Sequence, residues 1–154
     1  MGGVDNICSD KTGTLTENKM SVRKIFAMEQ VYTEFKNNTF NEDFNWKLCK
    51  SICQNSNANP KISVKENGSL ENIQIGNKTE CALLEMAFKL GFNYKEHRVE
   101  DNIKQVYCFS SKTKSMTTVS EENKKDKQLF IWTKGAPDFL LSQCNAFVNK
   151  EGKV

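Results

Sequence analysis

The fold is decided in residues 106–132, which read VYCFSSKTKSMTTVSEENKKDKQLFIW. Three short apolar runs lie there, at positions 106–109, 116–119 and 129–132, and their β-branched and aromatic residues favour strands. Because the connections between the runs are short, the strands should pair into an antiparallel sheet. The charged segment 121–127 is expected to join the last two strands, with its lysines at a solvated hairpin tip.

Amphipathic patterns predict helices beside this sheet. An apolar residue recurs at every fourth position between residues 42 and 54, which gives a helix with one apolar face. A second apolar stripe predicts a helix over 79–90, with Thr79 as its N-cap and Gly91 as its C-terminal stop. Pro137 suits the first turn of a third helix, which should end near residue 144.

The remaining patterns predict short strands. A turn signal at residues 67–68, Asn-Gly, separates two of them, and the second should extend over positions 73–75. Residues 4–9 are expected to form a buried strand and residues 20–28 another. The polar connector between these two strands, residues 16–19, is a candidate hinge.

Length, charge and cysteine use limit the class of protein. The chain has 154 residues, which suits one domain, and its longest apolar runs fall far short of the roughly 20 residues that cross a bilayer. With 22 basic and 19 acidic side chains dispersed along the sequence, no nucleic-acid partner is predicted. No signal peptide precedes the six cysteines, so we expect reduced thiols in the cytosol. The spacing of Cys49 and Cys53 is not that of a zinc site.

Residues 8–16, CSDKTGTLT, place chemically active side chains where a buried strand should end in a loop. Asp10 could attack the terminal phosphorus of a nucleotide to give an acyl phosphate, a known strategy for a carboxylate nucleophile. Lys11 and Mg²⁺ would offset the charge on the phosphoryl oxygens, Gly13 would let backbone N–H groups approach them, and the hydroxyls of Thr12 and Thr14 would add hydrogen bonds. A plain turn with an exposed Asp-Lys ion pair is the alternative.

The string Asp10-Lys11-Thr12-Gly13-Thr14-Leu15-Thr16 resembles the phosphorylation motif of the P-type cation-transporting ATPases. The resemblance implies that Asp10 becomes phosphorylated and that Asp10 and Thr12 hold Mg²⁺. It also implies a haloacid-dehalogenase-like phosphorylation domain, whose phosphatases typically carry a second aspartate two residues after the nucleophile. Here that position is Thr12, so attack of water on the phosphoenzyme should be slow unless another domain supplies the base. A lasting intermediate suits a pump.

Three later segments resemble the nucleotide-binding domain of the same pumps. They are GNKTECALL at 76–84, FSSKTKSM at 109–116 and TKGAPD at 133–138, and the first is most similar to plasma-membrane-type calcium pumps. Ser111 agrees with that subtype, since the reticulum-type pumps carry arginine there. The resemblance implies five ligand-binding residues, namely Glu80 near the adenine amino group, Phe109 stacked on adenine, Lys114 toward the phosphates, Lys134 lining the adenine pocket and Gly135 allowing close approach.

Each of these residues also has an ordinary structural interpretation. Glu80 would stabilise the dipole of its helix from the first turn. Phe109 taken alone would more often be a core side chain. The motifs occur in the family's order over nearly the whole chain, and for this reason the nucleotide interpretation is preferred.

The sequence therefore predicts an α+β fold in which an antiparallel sheet is flanked by helices, preceded by the first strand and loop of a haloacid-dehalogenase-like domain. We expect a partial phosphorylation domain at 1–15, a hinge at 16–19 and a nucleotide-binding domain at 20–154 that is incomplete at its C-terminus. ATP and Mg²⁺ are the expected cofactors, and the rest of a pump and calmodulin the expected partners. The parent would be a calcium pump at the cytosolic face of the plasma membrane, with the fragment alone inactive.

Three alternatives stay open. A stand-alone module could bind nucleotide or partner a pump. A small phosphatase of the same superfamily would need an acid near Asp10 and a later acidic loop, and neither is visible in the sequence. A non-functional product of a truncated gene would carry the same motifs.

Overall fold

A computed structural model of the protein describes residue 3 and residues 5–123 and 128–153. The chain forms short helices and three antiparallel β units. In chain order the elements are β1 (Ile25–Ala27), β2 (Gln30–Tyr32), α1 (Glu42–Gln54), β3 (Lys61–Val64), β4 (Leu70–Ile73), α2 (Lys78–Lys89), α3 (Tyr94–His97), β5 (Ile103–Ser110), β6 (Ser115–Asn123), β7 (Gln128–Gly135) and α4 (Pro137–Leu141). An irregular turn, Lys11–Leu15, precedes them and a 3₁₀ turn, Glu100–Asn102, precedes β5.

The three-stranded sheet is the largest unit and has the order β5-β6-β7, antiparallel throughout. It confirms the three predicted strands and their pairing, although each strand is longer than its apolar run. Residues 121–123 continue β6 instead of starting the connection, because the ladder still pairs Glu121 with Leu129. The predicted hairpin tip at 124–127 lies outside the described residues.

The two small hairpins differ in how well the sequence predicted them. Strands β3 and β4 are joined at the expected Asn-Gly turn, where Gly68 has φ +78°. Strand β4 ends at Ile73, so the expected extension to residue 75 is wrong. The strand expected over 20–28 is found only as β1, because residues 20–24 have no regular structure and Met28 and Glu29, both with positive φ, turn the chain back into β2.

The helices pack around the main apolar core. Helix α1 spans the predicted residues, and Asn41 caps it by accepting the N–H of Phe44 at 2.9 Å. Helix α2 starts one residue earlier than predicted because its N-cap is Asn77, not Thr79. Helix α4 begins at the expected proline but ends at Leu141, three residues short of the prediction.

The core lies between α1 and α2. Its fully buried members include the thiols of Cys49 and Cys53 from α1 and the side chains of Leu84 and Met86 from α2. Burial raises the pKa of Cys49 to about 12 and that of Cys53 to about 11, so both stay protonated and pack as small apolar groups. No helix in the described part of the chain is long and apolar enough to cross a membrane.

The buried strand expected over residues 4–9 is not found. Residues 5–10 have no regular structure, and Ile7 is 81% exposed. A strand of this kind is stable only between partner strands that cover its backbone. The described residues provide no such partner at 5–9, and position 4 lies outside them.

Candidate functional site

The loop that contains Asp10 is open to solvent. Asp10 precedes the irregular turn Lys11–Leu15, and all five residues predicted to act there, positions 10–14, are exposed. Gly13 has φ +80°, which suits glycine, and its N–H is 3.4 Å from the hydroxyl oxygen of Thr16. That hydroxyl donates to the carbonyl of Lys11 at 3.3 Å. The loop thus closes on itself and leaves the Asp10 carboxylate accessible.

A bulge in β5 decides where Phe109 lies. Tyr107 pairs with Thr117 and Ser110 with Ser115, so the chain advances three residues on β5 but two on β6. Both Cys108 and Phe109 therefore oppose Met116, whose partner on β7 is Lys134. Phe109, Met116 and Lys134 consequently lie side by side in one row across the three strands. Tyr107 lies in the next row, with Thr117.

Phe109 and Lys114 line one cavity of about 470 Å³, together with Ser111 and Ala136. Phe109 is 64% exposed, so its ring is not a core side chain. Lys114 is exposed as well and has φ +47°, a turn conformation fixed by the hydrogen bond from its N–H to the carbonyl of Ser110 at 2.7 Å. The turn between β5 and β6 therefore places an aromatic face and an ammonium group at the same opening.

Gly135 is required by the contact between two strands. A Cβ at this position would lie 2.8 Å from the Cα of Ser115 and would overlap the carbonyl oxygen of Lys114. The N–H of Ala136 donates to that same carbonyl at 2.9 Å. Sequence analysis expected this glycine to let the ligand approach closely. The structure gives a second reason for a glycine here, the close contact of its backbone with Lys114 and Ser115.

Glu80 and Lys134 form a partly buried ion pair, with 2.5 Å between the Glu80 Oε1 and the Lys134 Nζ. The other carboxylate oxygen accepts the N–H groups of Asn57 at 2.8 Å and of Ala58 at 2.9 Å. Burial raises the pKa of Glu80, but these hydrogen bonds and the ammonium outweigh it and hold the pKa below its ordinary value. Glu80 is therefore ionised at neutral pH and ties α2 to β7 and to the segment after α1.

Asn55, the residue that follows α1, was missed by sequence analysis. It is 1% exposed, and its side-chain nitrogen donates to the carbonyls of Met116 at 3.2 Å and Trp132 at 3.1 Å. Its side-chain oxygen accepts the hydroxyl of Thr118 at 3.0 Å, and its main-chain carbonyl accepts from the Nζ of Lys134. A polar residue after a helix is common, so the sequence held no signal for these long-range contacts.

The predicted site residues thus fall into three groups. Glu80 and Lys134 are in direct contact, and Phe109 and Lys114 line one cavity. The pairing of Met116 with Lys134 connects these two groups across the sheet. The loop at 10–14 is the third group, and it stands on the exposed segment that precedes β1.

Comparison with known proteins identifies the family. The family model described as "P-type ATPase, cytoplasmic domain N" matches residues 43–154. The chain is 36% identical over 160 residues to the calcium-transporting ATPase PAT1 of Dictyostelium discoideum, and 36% identical over 158 residues to the human plasma membrane calcium-transporting ATPase 3. The protein is a member of the P-type ATPase family.

The similarity reaches relatives from distant organisms. The plasma membrane calcium-transporting ATPase mca-1 of Caenorhabditis elegans is 33% identical over 162 residues, which cover 99% of this chain. The P-type ATPase chain described here is covered completely by its PAT1 and human relatives, but it spans only 13% of the length of each. The mixed arrangement of helices and antiparallel sheets agrees with a P-type ATPase domain N.

Proposed function

We propose that this chain is the nucleotide-binding part of an ATP-driven, calcium-transporting P-type ATPase. The family membership supports ATP as the ligand. The names of the similar plasma membrane pumps support calcium as the transported ion.

One observation carries the nucleotide proposal, namely that the exposed Phe109 and the exposed Lys114 line the same open cavity. A base stacked on such a ring gains roughly 1–3 kcal/mol, and a lysine at the same opening provides a positive charge for phosphate. The cavity is therefore assigned to the nucleotide, with adenine on Phe109 and the phosphates toward Lys114.

The ion pair would form the wall of the adenine pocket. The Lys134 ammonium carries three N–H groups, of which two are used by Glu80 and by the carbonyl of Asn55. Its third N–H is available to a ring nitrogen, and the Glu80 carboxylate keeps acceptor capacity for the adenine amino group. Gly135 follows Lys134 without a side chain that would narrow the pocket.

In the proposed reaction Asp10 is the phosphoryl acceptor. A carboxylate oxygen of Asp10 forms a bond to the γ-phosphorus while the bond from that phosphorus to the leaving oxygen of ADP breaks. Lys11 neutralises charge on the transferred group, and the backbone at Gly13 with the hydroxyls of Thr12 and Thr14 donates hydrogen bonds to it.

The residue types at this loop also fit Mg²⁺. The ion takes oxygen ligands and is commonly held by one or two carboxylates together with substrate phosphates. Asp10 and Thr12 offer a carboxylate and a hydroxyl on one exposed loop and would hold it there. When bound, the ion offsets the negative charge of the phosphates.

We further propose a phosphorylation segment at 1–15, a hinge at 16–19 and a nucleotide-binding domain at 20–154. Gln74 supports the boundary, because it hydrogen-bonds both the N–H of Met20 at 3.2 Å and its carbonyl at 2.6 Å. The domain is thereby anchored at Met20, just after the proposed hinge. In the parent pump, closure at this hinge would bring the nucleotide to Asp10.

The remaining parts of the proposal concern the parent pump. Its other domains would be the partners of this chain at the cytosolic face of the plasma membrane, with calmodulin as a further candidate partner. For the chain alone we propose ATP binding without turnover.

Titration of ATP by calorimetry tests the nucleotide proposal with two matched variants. Phe109→Ala removes the proposed stacking platform and should weaken ATP binding about tenfold, the loss expected for one stacked base. Tyr107→Ala removes an aromatic side chain that is 60% exposed on the same strand but lies in the next row, and it should leave the affinity within about twofold. Equal effects of the two variants, or no binding by the wild type, would contradict the proposal.

A further inference from the structure

Asn55 joins the end of α1 to two strands of the sheet. Its side-chain nitrogen donates to carbonyls on both β6 and β7, those of Met116 and Trp132. Every polar group of the residue has a partner, since its oxygen accepts from Thr118 and its own carbonyl accepts from Lys134. A buried amide with a full set of partners makes a rigid junction, because any displacement leaves a buried group unsatisfied.

The contacts of this junction flank the candidate nucleotide site. Met116 is the residue that Phe109 opposes across the bulge, and it pairs with Lys134 on its other side. Asn55 thus donates to Met116, the middle residue of the row formed by Phe109, Met116 and Lys134. Its main-chain carbonyl accepts from the ammonium of Lys134, at the end of that row. The following residues Asn57 and Ala58 bind the carboxylate of Glu80.

We propose that Asn55 is a positioning residue of the nucleotide site, which fixes the Lys134 ammonium relative to the ring of Phe109. This inference rests on the proposed nucleotide-binding function. Asn55 itself does not touch the ligand, and it acts through Lys134. Removing its side chain should therefore weaken ligand binding more than removing another buried, hydrogen-bonded side chain of the same segment does.

Ser56 provides the matched control. It is 4% exposed, and its hydroxyl donates to the carbonyl of Ile52 in the last turn of α1, at 2.7 Å. Asn55→Ala removes three buried side-chain hydrogen bonds next to the site, and Ser56→Ala removes one. Only the first breaks the connection to the sheet.

The experiment measures the dissociation constant for ATP and the NMR shifts of the Lys134 side chain in the full 154-residue chain. Labelled lysine is used, and the Lys134 signal is assigned with Lys134→Arg. Asn55→Ala should raise the dissociation constant about tenfold and shift the Lys134 signal before ligand is added. Ser56→Ala should stay within about twofold of the wild type and leave that signal in place.

A gentler pair of variants covers the case in which Asn55→Ala fails to fold. Thr118→Val removes the hydroxyl that orients the Asn55 amide, whereas Thr117→Val removes a hydroxyl bonded to Thr133 in the neighbouring row. We expect Thr118→Val to weaken ATP binding about threefold and Thr117→Val to have no effect. Equal affinities of these two variants would then overturn the inference.

The outcomes separate this inference from the function on which it rests. If the wild type binds ATP and Phe109→Ala weakens binding, but Asn55→Ala behaves like Ser56→Ala, then the inference about Asn55 alone is wrong. If the wild type binds no ATP, the proposed function fails and the inference falls with it.

Discussion

Glu80 shows how a single residue can serve the fold and still face a ligand. The residue is 8% exposed, and its carboxylate is bonded to Lys134 and to two backbone N–H groups. A carboxylate held in this way must be ionised, because neutralising it would leave the Lys134 ammonium without its counter-ion. The helix-dipole role expected from the sequence describes only part of what this residue does.

Glu80→Gln should destabilise the fold in a pH-dependent way. Because hydrogen bonds and Lys134 hold the pKa of Glu80 below its ordinary value, the ionised form contributes stability that is present above about pH 4.3 and is lost as the pH falls through the lowered pKa. Urea unfolding should therefore show a deficit of about 2 kcal/mol for the variant at pH 7, shrinking below about pH 4. Glu66→Gln, at an exposed position, is the control and should match the wild type. A deficit independent of pH would contradict this account.

The N-cap of α2 is a second test at the scale of single residues. Asn77 accepts the N–H groups of Thr79 at 2.9 Å and Glu80 at 3.2 Å. Asn77→Ala should lower the free energy of unfolding by about 1 kcal/mol, the usual value of a cap. Thr79→Ala should cost clearly less, since its hydroxyl makes only a 3.9 Å contact with the sulfur of Met20. Thermal or urea unfolding of both variants would measure the difference, and the reverse order would restore the cap expected from the sequence.

At the scale of elements, the helices and strands that the sequence predicted correctly were those with a strong local pattern. Helix α1 was predicted over its observed span because its apolar residues repeat at the helical period. The first strand was not found, because an apolar run says nothing about whether partner strands are present. The bulge that places Phe109 depends on how two strands pair, and a single strand's sequence does not encode it.

The same limit applies to the candidate site. Glu80, Phe109, Lys114, Lys134 and Gly135 were selected by resemblance to family motifs, and local pattern alone would have given Phe109 to the core. Their functional roles remain predictions. Asn55 could not be found from the sequence, since the partners of its side chain lie 61 to 77 residues further along the chain.

The hairpin of β1 and β2 offers a test of an element whose turn the sequence does not signal. Glu29 has φ +58° at an exposed position, a conformation that costs non-glycine residues about 1–2 kcal/mol. Glu29→Gly should therefore stabilise the protein by about 1 kcal/mol, and Glu29→Val should destabilise it. Urea unfolding of the two variants would measure this. A loss of stability with glycine would show that the chain does not turn as described.

At the scale of the whole molecule, the described residues divide the chemistry between two places. The exposed loop carries the proposed acceptor Asp10, and the sheet carries the proposed nucleotide site. Transfer between them needs a closure that the parent pump would provide.

The isolated chain should therefore bind ATP without hydrolysing it. Phosphate release measured with Mg²⁺ and calcium present should not exceed that of an Asp10→Asn control. Hydrolysis stimulated by calcium and inhibited by vanadate would refute the proposal that the rest of the pump is required for turnover.

Residue-resolved NMR during an ATP titration tests the central claim most directly. Backbone amide signals of the wild-type chain should shift progressively at Phe109, Glu80 and Lys134 and at their neighbours on the sheet, while signals from β3 and β4 stay in place. Shifts confined to other surfaces, or no shifts at millimolar ATP, would contradict the assignment of this sheet as the nucleotide site.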